Sequence, residues 1–256
     1  MVGSTTLSLL YQRASIHAFT DNPISQLQRE AVLRAATRAP SGYSMMPFSI
    51  IDIQEKQTIE KLSVLCNNQK FIAHAPWILV FVVDYCKWID LFNHVGCFDN
   101  CQDEEKDRIT NPNMAELMQS VQDTMLAAGN AVIAAEAVGL GSCFIGGILD
   151  NYQEIRDLLN LPEHTIPLSM MVLGEPKDKV AQKPHPVSNL VMHEQYHRAT
   201  PEMLVAQTSE LGAMFCPTSP DSGKRVRELY KKRHISDSCL DRNDSVSEWM
   251  RNWCKK

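Results

Sequence analysis

Short apolar runs of β character alternate with longer amphipathic stretches along the chain, and that alternation predicts most of its elements. Ser25-x-x-Gln28 has the form of a capping box and opens an amphipathic run to Ala39, so a helix is expected there. Pro40-Ser-Gly-Tyr-Ser-Met-Met-Pro47 breaks it as a loop, and Phe48 to Ile53 reads as a strand. Glu55 to Cys66 has helical spacing. Trp77 to Asp84 is apolar and β-branched behind a proline, the pattern of a buried strand. Residues 85–112 read as irregular, a lid or an exposed loop, with acids at Asp103, Glu104, Glu105 and Asp107. Pro112 opens a long helix to Val138. Its later half, Leu126 to Ala137, is dense in alanine, so another helix can approach closely, in a core or at a subunit contact. A strand is expected at Ser142 to Ile145, a helix capped by Asp150 and running to Leu161, and a strand at Leu168 to Leu173, ended by Gly174-Glu-Pro176. Beyond Pro201 only helices are expected: Glu202 to Gly212, Lys224 to Arg233, and one from a Ser245-x-x-Glu248 box to Trp253.

Strands and helices mix here without regular βαβ units, so an α+β architecture fits better than a doubly wound sheet. A chain of 256 residues, 44% hydrophobic and 21% charged, buries a sizeable core as one large domain or two small ones. The longest strongly apolar run, Pro76 to Val83, is far too short to span a bilayer. No Lys or Arg precedes Arg13, so a secretory signal is not expected. The net charge of −5 argues against a general nucleic-acid binder. From Lys224 to Lys256 ten Lys/Arg stand against five Asp/Glu, so this segment carries +5 and the rest of the chain −10. Such a basic segment either meets an anionic ligand or is a solvated helix face. Eight cysteines include no CxxC pair, so free thiols in a reducing, cytoplasmic compartment are expected.

Three motifs bear on chemistry. His193-Glu194-Gln195-Tyr196-His197 matches H-E-x-x-H; on a helix, His193 and His197 would share a face and bind zinc, with Glu194 as general base of a metallohydrolase. Prolines lie close on both sides, and the segment reads equally well as extended. Gly139-Leu140-Gly141 and Gly146-Gly147 do not form a dinucleotide fingerprint, because Phe144 occupies a required glycine position and the glycines follow a helix. They mark a helix C-cap, a strand, and a point where backbone passes close to something. In an extended segment Arg13, Ser15 and His17 point the same way, which suits a phosphate or polar ring edge, or simply a surface.

Taken in order, these pieces resemble the FMN-dependent nitroreductase family, and most closely its bacterial oxygen-insensitive, NADPH-using nitroreductase and flavin reductase branch. The stretches that carry the resemblance are Arg13 to Ile24, Arg38-Ala39-Pro40-Ser41, Asn67-Asn68-Gln69-Lys70, Ala131 to Gly147, Leu159 to His164, Leu173-Gly174-Glu175-Pro176 and Lys183-Pro184-His185. They run from about residue 10 to 200. The resemblance implies a nitroreductase-like fold, a central mixed sheet flanked by helices. It implies an intertwined homodimer with two FMN sites at the subunit interface, a core at 1–200, and a helical extension at 201–256 packed on the core or the partner subunit. It implies hydride transfer from NADPH or NADH through flavin N5 to nitroaromatic, quinone or free flavin acceptors, by a ping-pong mechanism without a catalytic side chain. A flavin-binding protein without turnover is the non-enzymatic alternative.

Carried over residue by residue, Arg13 and Lys183 would hold the phosphate. Ser15 and His17 would lie near the phosphate, ribityl chain or pyrimidine edge. Ser41 and Gln69 would contact the ribityl or ring portion, and Phe144, Ile145, Gly146 and Gly147 would lay backbone against the ring. Ala14, Ile16, Gly42, Tyr43 and His185 complete the implied cofactor-binding set. His17 and His185 stand where relatives carry a permanent cation, and imidazole lacks the bidentate reach of guanidinium. The branch's Arg-Gly-Ser-rich loop for the NADPH 2′-phosphate is not recognisable after residue 200.

Overall fold

The computed structural model describes residues 5–99, 111–178, 190–205 and 222–255. The chain packs as two compact units, residues 1–182 with 244–256, and residues 183–243. In the first unit a four-stranded sheet has the order β1-β2-β4-β3, with β1 at Phe48–Ile53, β2 at Trp77–Asp84, β3 at Gly141–Ile145 and β4 at Thr165–Gly174. Every pairing between these strands is antiparallel. The mixed sheet expected from the resemblance is therefore corrected: among the described residues, parallel pairing is confined to a single bridge, Ser15 to Ser142.

The central strand β2 shows why its sequence is continuously apolar. Trp77, Leu79 and Phe81 pack on one face of the sheet with Val32 and Ala36 of helix α2 (Gln26–Thr37) and Ala128, Ala131 and Ala135 of the long helix α6 (Met114–Ala137). Ile78, Val80 and Val82 pack on the other face with Ile59 and Leu62 of α3 (Lys56–Leu65) and Ile155 of α7 (Tyr152–Leu159). A strand covered on both sides has no polar face to alternate. The small residues of α6 let α2 pack directly against it. Both helices begin at complete capping boxes, Ser25 with Gln28 and Asn113 with Glu116.

Several boundaries differ from expectation. A helix not foreseen, α1 (Thr5–Gln12), precedes α2. Between α3 and β2 lies a single turn, α4 (Lys70–Ala73). The region expected to be irregular contains helix α5 (Cys86–His94). Asp150 is not the cap of α7: left-handed Asn151 takes that place, and Asp150 accepts a 2.6 Å bond from the Asn67 amide. In the second unit α8 (Ser222–Tyr230) passes into a π-helical turn, Lys231–Ile235. The last helix, α9 (Asp237–Trp253), starts well before Ser245. Ser245 lies inside it and donates to the Leu149 carbonyl at 2.7 Å, while Trp249 packs edge-on to Tyr152 at 4.6 Å between ring centres.

Candidate functional site

The free edge of β3 organises the site. The Ile16 N–H donates to the Ser142 carbonyl at 3.0 Å, which lays the N-terminal segment along that edge. Ile16 sits so close to Gly141 that a Cβ there would lie 2.6 Å from its side chain, a contact only glycine permits. Ala14 and Ile16 turn into the core, while Arg13 is half-buried and Ser15 and His17 are exposed. The alternation expected of an extended segment is observed. For Ala14 and Ile16 it leaves only backbone to meet a ligand.

These three polar side chains converge on Cys143 of β3. Its sulfur lies 3.4 Å from His17 Nε2. Burial pushes the Cys143 thiol up, opposed by the Ser15 hydroxyl and then by the Arg13 charge. His17 stands edge-on to Phe71 at 4.7 Å between ring centres, which draws in the loop ahead of α4. In that loop Asn67 and Asn68 are left-handed, and the Gln69 amide donates to the Cys66 carbonyl at 2.7 Å. Part of the Gln69 side chain is thus committed to its own loop.

The two glycines after β3 have different reasons to be glycine. A Cβ on Gly147 would lie 3.2 Å from Cys66 Cα and 3.4 Å from the Asn67 amide, so a side chain there would press on the backbone of the loop beside it. A Cβ on Gly146 would meet nothing within 4 Å. Phe144 is 37% exposed and Ile145 is buried. Segments 13–17, 66–71 and 143–147 therefore form one surface.

Ser41, Gly42 and Tyr43 are not brought to that surface. The Ser41 hydroxyl donates to Asp123 at 2.6 Å and accepts from the Met46 N–H at 2.8 Å. The Gly42 N–H and the Gln119 amide also donate to Asp123, at 3.1 and 2.9 Å. Asp123, only 2% exposed, is an anchor that sequence reasoning missed. It holds a loop in which Tyr43, Ser44 and Met46 are all left-handed, a strain of order 1–3 kcal/mol per residue. Tyr43 is fully exposed at its tip. At the other end of α6, Glu136 lies in the field of Arg13. Thirteen residues separate Asp123 from Glu136, so the two halves of the expected site stand about 20 Å apart along the helix at 1.5 Å per residue.

Lys183 and His185 lie outside the described residues. The zinc reading is corrected: residues 191–199 contain no helix, and Glu194 is left-handed at φ 62°. His193 and His197 therefore do not share a helix face, and among the described residues no three His, Cys, Asp or Glu side chains are grouped to hold a metal ion. Among them, too, no helix is long and apolar enough to cross a membrane.

The chain is similar to known proteins over most of its length. The oxygen-insensitive NADPH nitroreductase of Salmonella typhimurium is 34% identical over 241 residues, covering 94% of this chain and 93% of the relative. The FMN reductase [NAD(P)H] of Bacillus subtilis is 34% identical over 186 residues, covering 73% and 72%. Among solved structures, nitroreductase A of Vibrio parahaemolyticus superposes with a TM-score of 0.79 at 25% identity, covering 99% of each chain. Residues 10–175 match the Nitroreductase family, to which this chain belongs.

Proposed function

We propose that this protein is an FMN-dependent NAD(P)H oxidoreductase that reduces nitroaromatic, quinone or free flavin acceptors, with donor and acceptor using one pocket in turn. The observation that carries this reading is an uncommitted guanidinium on the segment that runs along β3, with an open stretch of backbone where that strand ends. Arg13 makes no ion pair within 4.0 Å and no side-chain hydrogen bond with the described residues, and Gly146 faces open space. The residues present fit FMN: Arg13 takes the phosphate, Ser15 and His17 the polar edge, and the backbone of residues 144–147 lies along the ring. Lys183 and His185 are the further cofactor residues of this reading. When bound, FMN supplies the hydride acceptance and donation, and the chain positions it and tunes its electron affinity.

The site in this reading belongs to a homodimer. One subunit carries Arg13 at one end of α6 and the Asp123-anchored loop at the other, about 20 Å away. A twofold-related copy brings the loop of each subunit to the Arg13 of the other, giving two sites per dimer. The names of the Salmonella and Bacillus relatives, an NADPH nitroreductase and an FMN reductase, support the same chemistry. A reducing cytoplasm suits the free thiols of Cys86, Cys143, Cys239 and Cys254.

The test is reconstitution followed by turnover. A yellow protein with one FMN per subunit, oxidising NADPH or NADH only when a quinone or nitroaromatic is present, is the expected result. Failure to bind FMN in excess overturns the reading. FMN binding without turnover replaces the enzyme by a flavin carrier.

A further inference from the structure

In the antiparallel register of β1 and β2, Phe48 stands opposite Val83. The loop that enters β1 and the helix that follows β2 therefore meet at one end of the sheet. They are tied there at several points. The Asp84 N–H donates to the Pro47 carbonyl at 3.0 Å, and the Lys87 ammonium donates to the Phe48 carbonyl. The Trp88 indole N–H of α5 reaches further back along the loop and donates to the Met45 carbonyl at 3.1 Å. Trp88 and Met45 both pack on the core. Phe92, one turn further along α5, packs on the indole with 5.7 Å between ring centres.

The loop is thus fastened from two sides. Asp123 of α6 holds its start at Ser41 and Gly42, and Trp88 of α5 holds its other end at Met45. Between the fastenings lie left-handed Tyr43 (φ 53°) and Ser44 (φ 58°), and left-handed Met46 (φ 49°) follows directly. None of the three has the conformational freedom of glycine, so this backbone persists because its surroundings hold it. What the held loop presents is the Tyr43 ring, which lies wholly in solvent and covers nothing in its own subunit. A tyrosine ring with two side-chain torsions on a fixed backbone loses little freedom when another ring settles on it.

We propose that Trp88 is a positioning residue that, through the Met45 carbonyl, holds the Tyr43 ring where it stacks on the electron acceptor. This rests on the functional reading above, in which the loop of one subunit meets the Arg13 of the other. The acceptors of that reading, nitroaromatics, quinones and flavins, are planar and electron-poor, whereas the phenol ring of Tyr43 is electron-rich, and offset faces of such rings attract. Trp88 touches neither flavin nor acceptor. It acts through the loop, and therefore only on acceptors that offer a ring face.

The experiment compares a benzoquinone with ferricyanide, an acceptor that has no ring. FMN-loaded protein is assayed at saturating NADPH or NADH, in the parent, Trp88→Phe, Tyr43→Ala and the double variant. Trp88→Phe keeps an aromatic ring and removes the N–H. It should raise the quinone KM about fivefold with kcat within about twofold of the parent, and leave ferricyanide reduction and FMN affinity unchanged. Tyr43→Ala should raise the quinone KM at least as much, and in its background Trp88→Phe should add nothing. Trp88→His, which keeps a ring N–H, should recover part of the loss. Tyr43→Ala alters only an exposed side chain and keeps the proposal testable if the Trp88 variants do not fold. An unchanged quinone KM in Tyr43→Ala or Trp88→Phe, equal losses for quinone and ferricyanide in Trp88→Phe, weakened FMN binding in Trp88→Phe, or independent effects in the double variant would each overturn the proposal. Dissociation of Tyr43→Ala into subunits would overturn it too, by making the ring a subunit contact. A parent that reduces neither acceptor overturns the underlying functional reading instead.

Discussion

Adding one methyl group to each of the two adjacent glycines should give opposite results. In Gly147→Ala the new Cβ stands 3.2 Å from both Cα and Cβ of Cys66. Cys66 is fully buried, and its N–H is bonded to the Leu62 carbonyl at 2.8 Å, so the obstacle is anchored backbone rather than a flexible tip. Overpacking of this kind costs about 1–3 kcal/mol. At about 2–4 °C per kcal/mol for a chain of this size, the flavin-free protein should melt about 2–12 °C lower. In Gly146→Ala the methyl group enters open space, and Gly146 is not among the glycines with positive φ. Reduced freedom of the unfolded chain then favours the variant by about 0.4–1 kcal/mol. Its melting temperature should hold or rise, yet FMN should bind more weakly because the methyl group stands where the ring approaches. Thermal melts of both flavin-free variants, with parallel FMN titrations, check this. Equal melting losses, or an unaltered FMN affinity in Gly146→Ala, would refute the assignment of Gly147 to the fold and Gly146 to the ligand.

Two further outcomes are expected. Arg13→Ala and Asp123→Asn each spoil one end of both sites in their own homodimers, so mixed and reassociated subunits should regain about one quarter of the parent's bound FMN, from the one intact site of each hybrid dimer; no recovery places both ends in one subunit. Glu136 keeps its proton to higher pH in the fold than in the unfolded chain, because burial raises its carboxyl from the ordinary 4.5 and Arg13 only partly opposes this. Its contribution is therefore greatest at acid pH and is lost as pH rises from 4.5 through the raised value. Glu136→Gln should flatten that part of the curve of melting temperature against pH, whereas parallel curves would show that the carboxyl does not feel its burial.

What could be read in the sequence was what is local. β1 and β2 carry their own signal, because a strand covered on both faces is apolar at every position. Arg13, Ser15 and His17 were legible as a face because extended chain has a period of two. The Ser245 box misled because the same spacing occurs inside a helix when the serine has a distant partner, here Leu149. α5 was missed because it follows directly on β2, with neither a side-chain cap nor a break before it. Asp123 and Phe71 escaped because their places are set by tertiary contacts: Asp123 serves a loop 82 residues earlier in the chain, and Phe71 meets His17 edge-on. The resemblance puts Ser41 on the ligand; within one subunit its hydroxyl fastens its loop to α6 through Asp123, a tie between distant residues that the sequence does not signal.

The central position of β2 also sets the order in which the protein can be made. Its neighbours arrive at very different times. β1 has already left the ribosome when β2 emerges, but β4 ends at Gly174, 90 residues after Asp84. At about 5–20 residues per second, the β4 edge of Trp77–Val83 stays unpaired for about 5–20 s of synthesis. That edge belongs to seven consecutive apolar residues without charge or proline, the composition that stacks with other nascent chains. Pro76 on one side, with Asp84 and Lys87 on the other, flank the run as gatekeepers. Yield in a cell should therefore follow how well this strand is shielded during translation, and slower elongation through residues 85–165 should lower it without altering the finished enzyme.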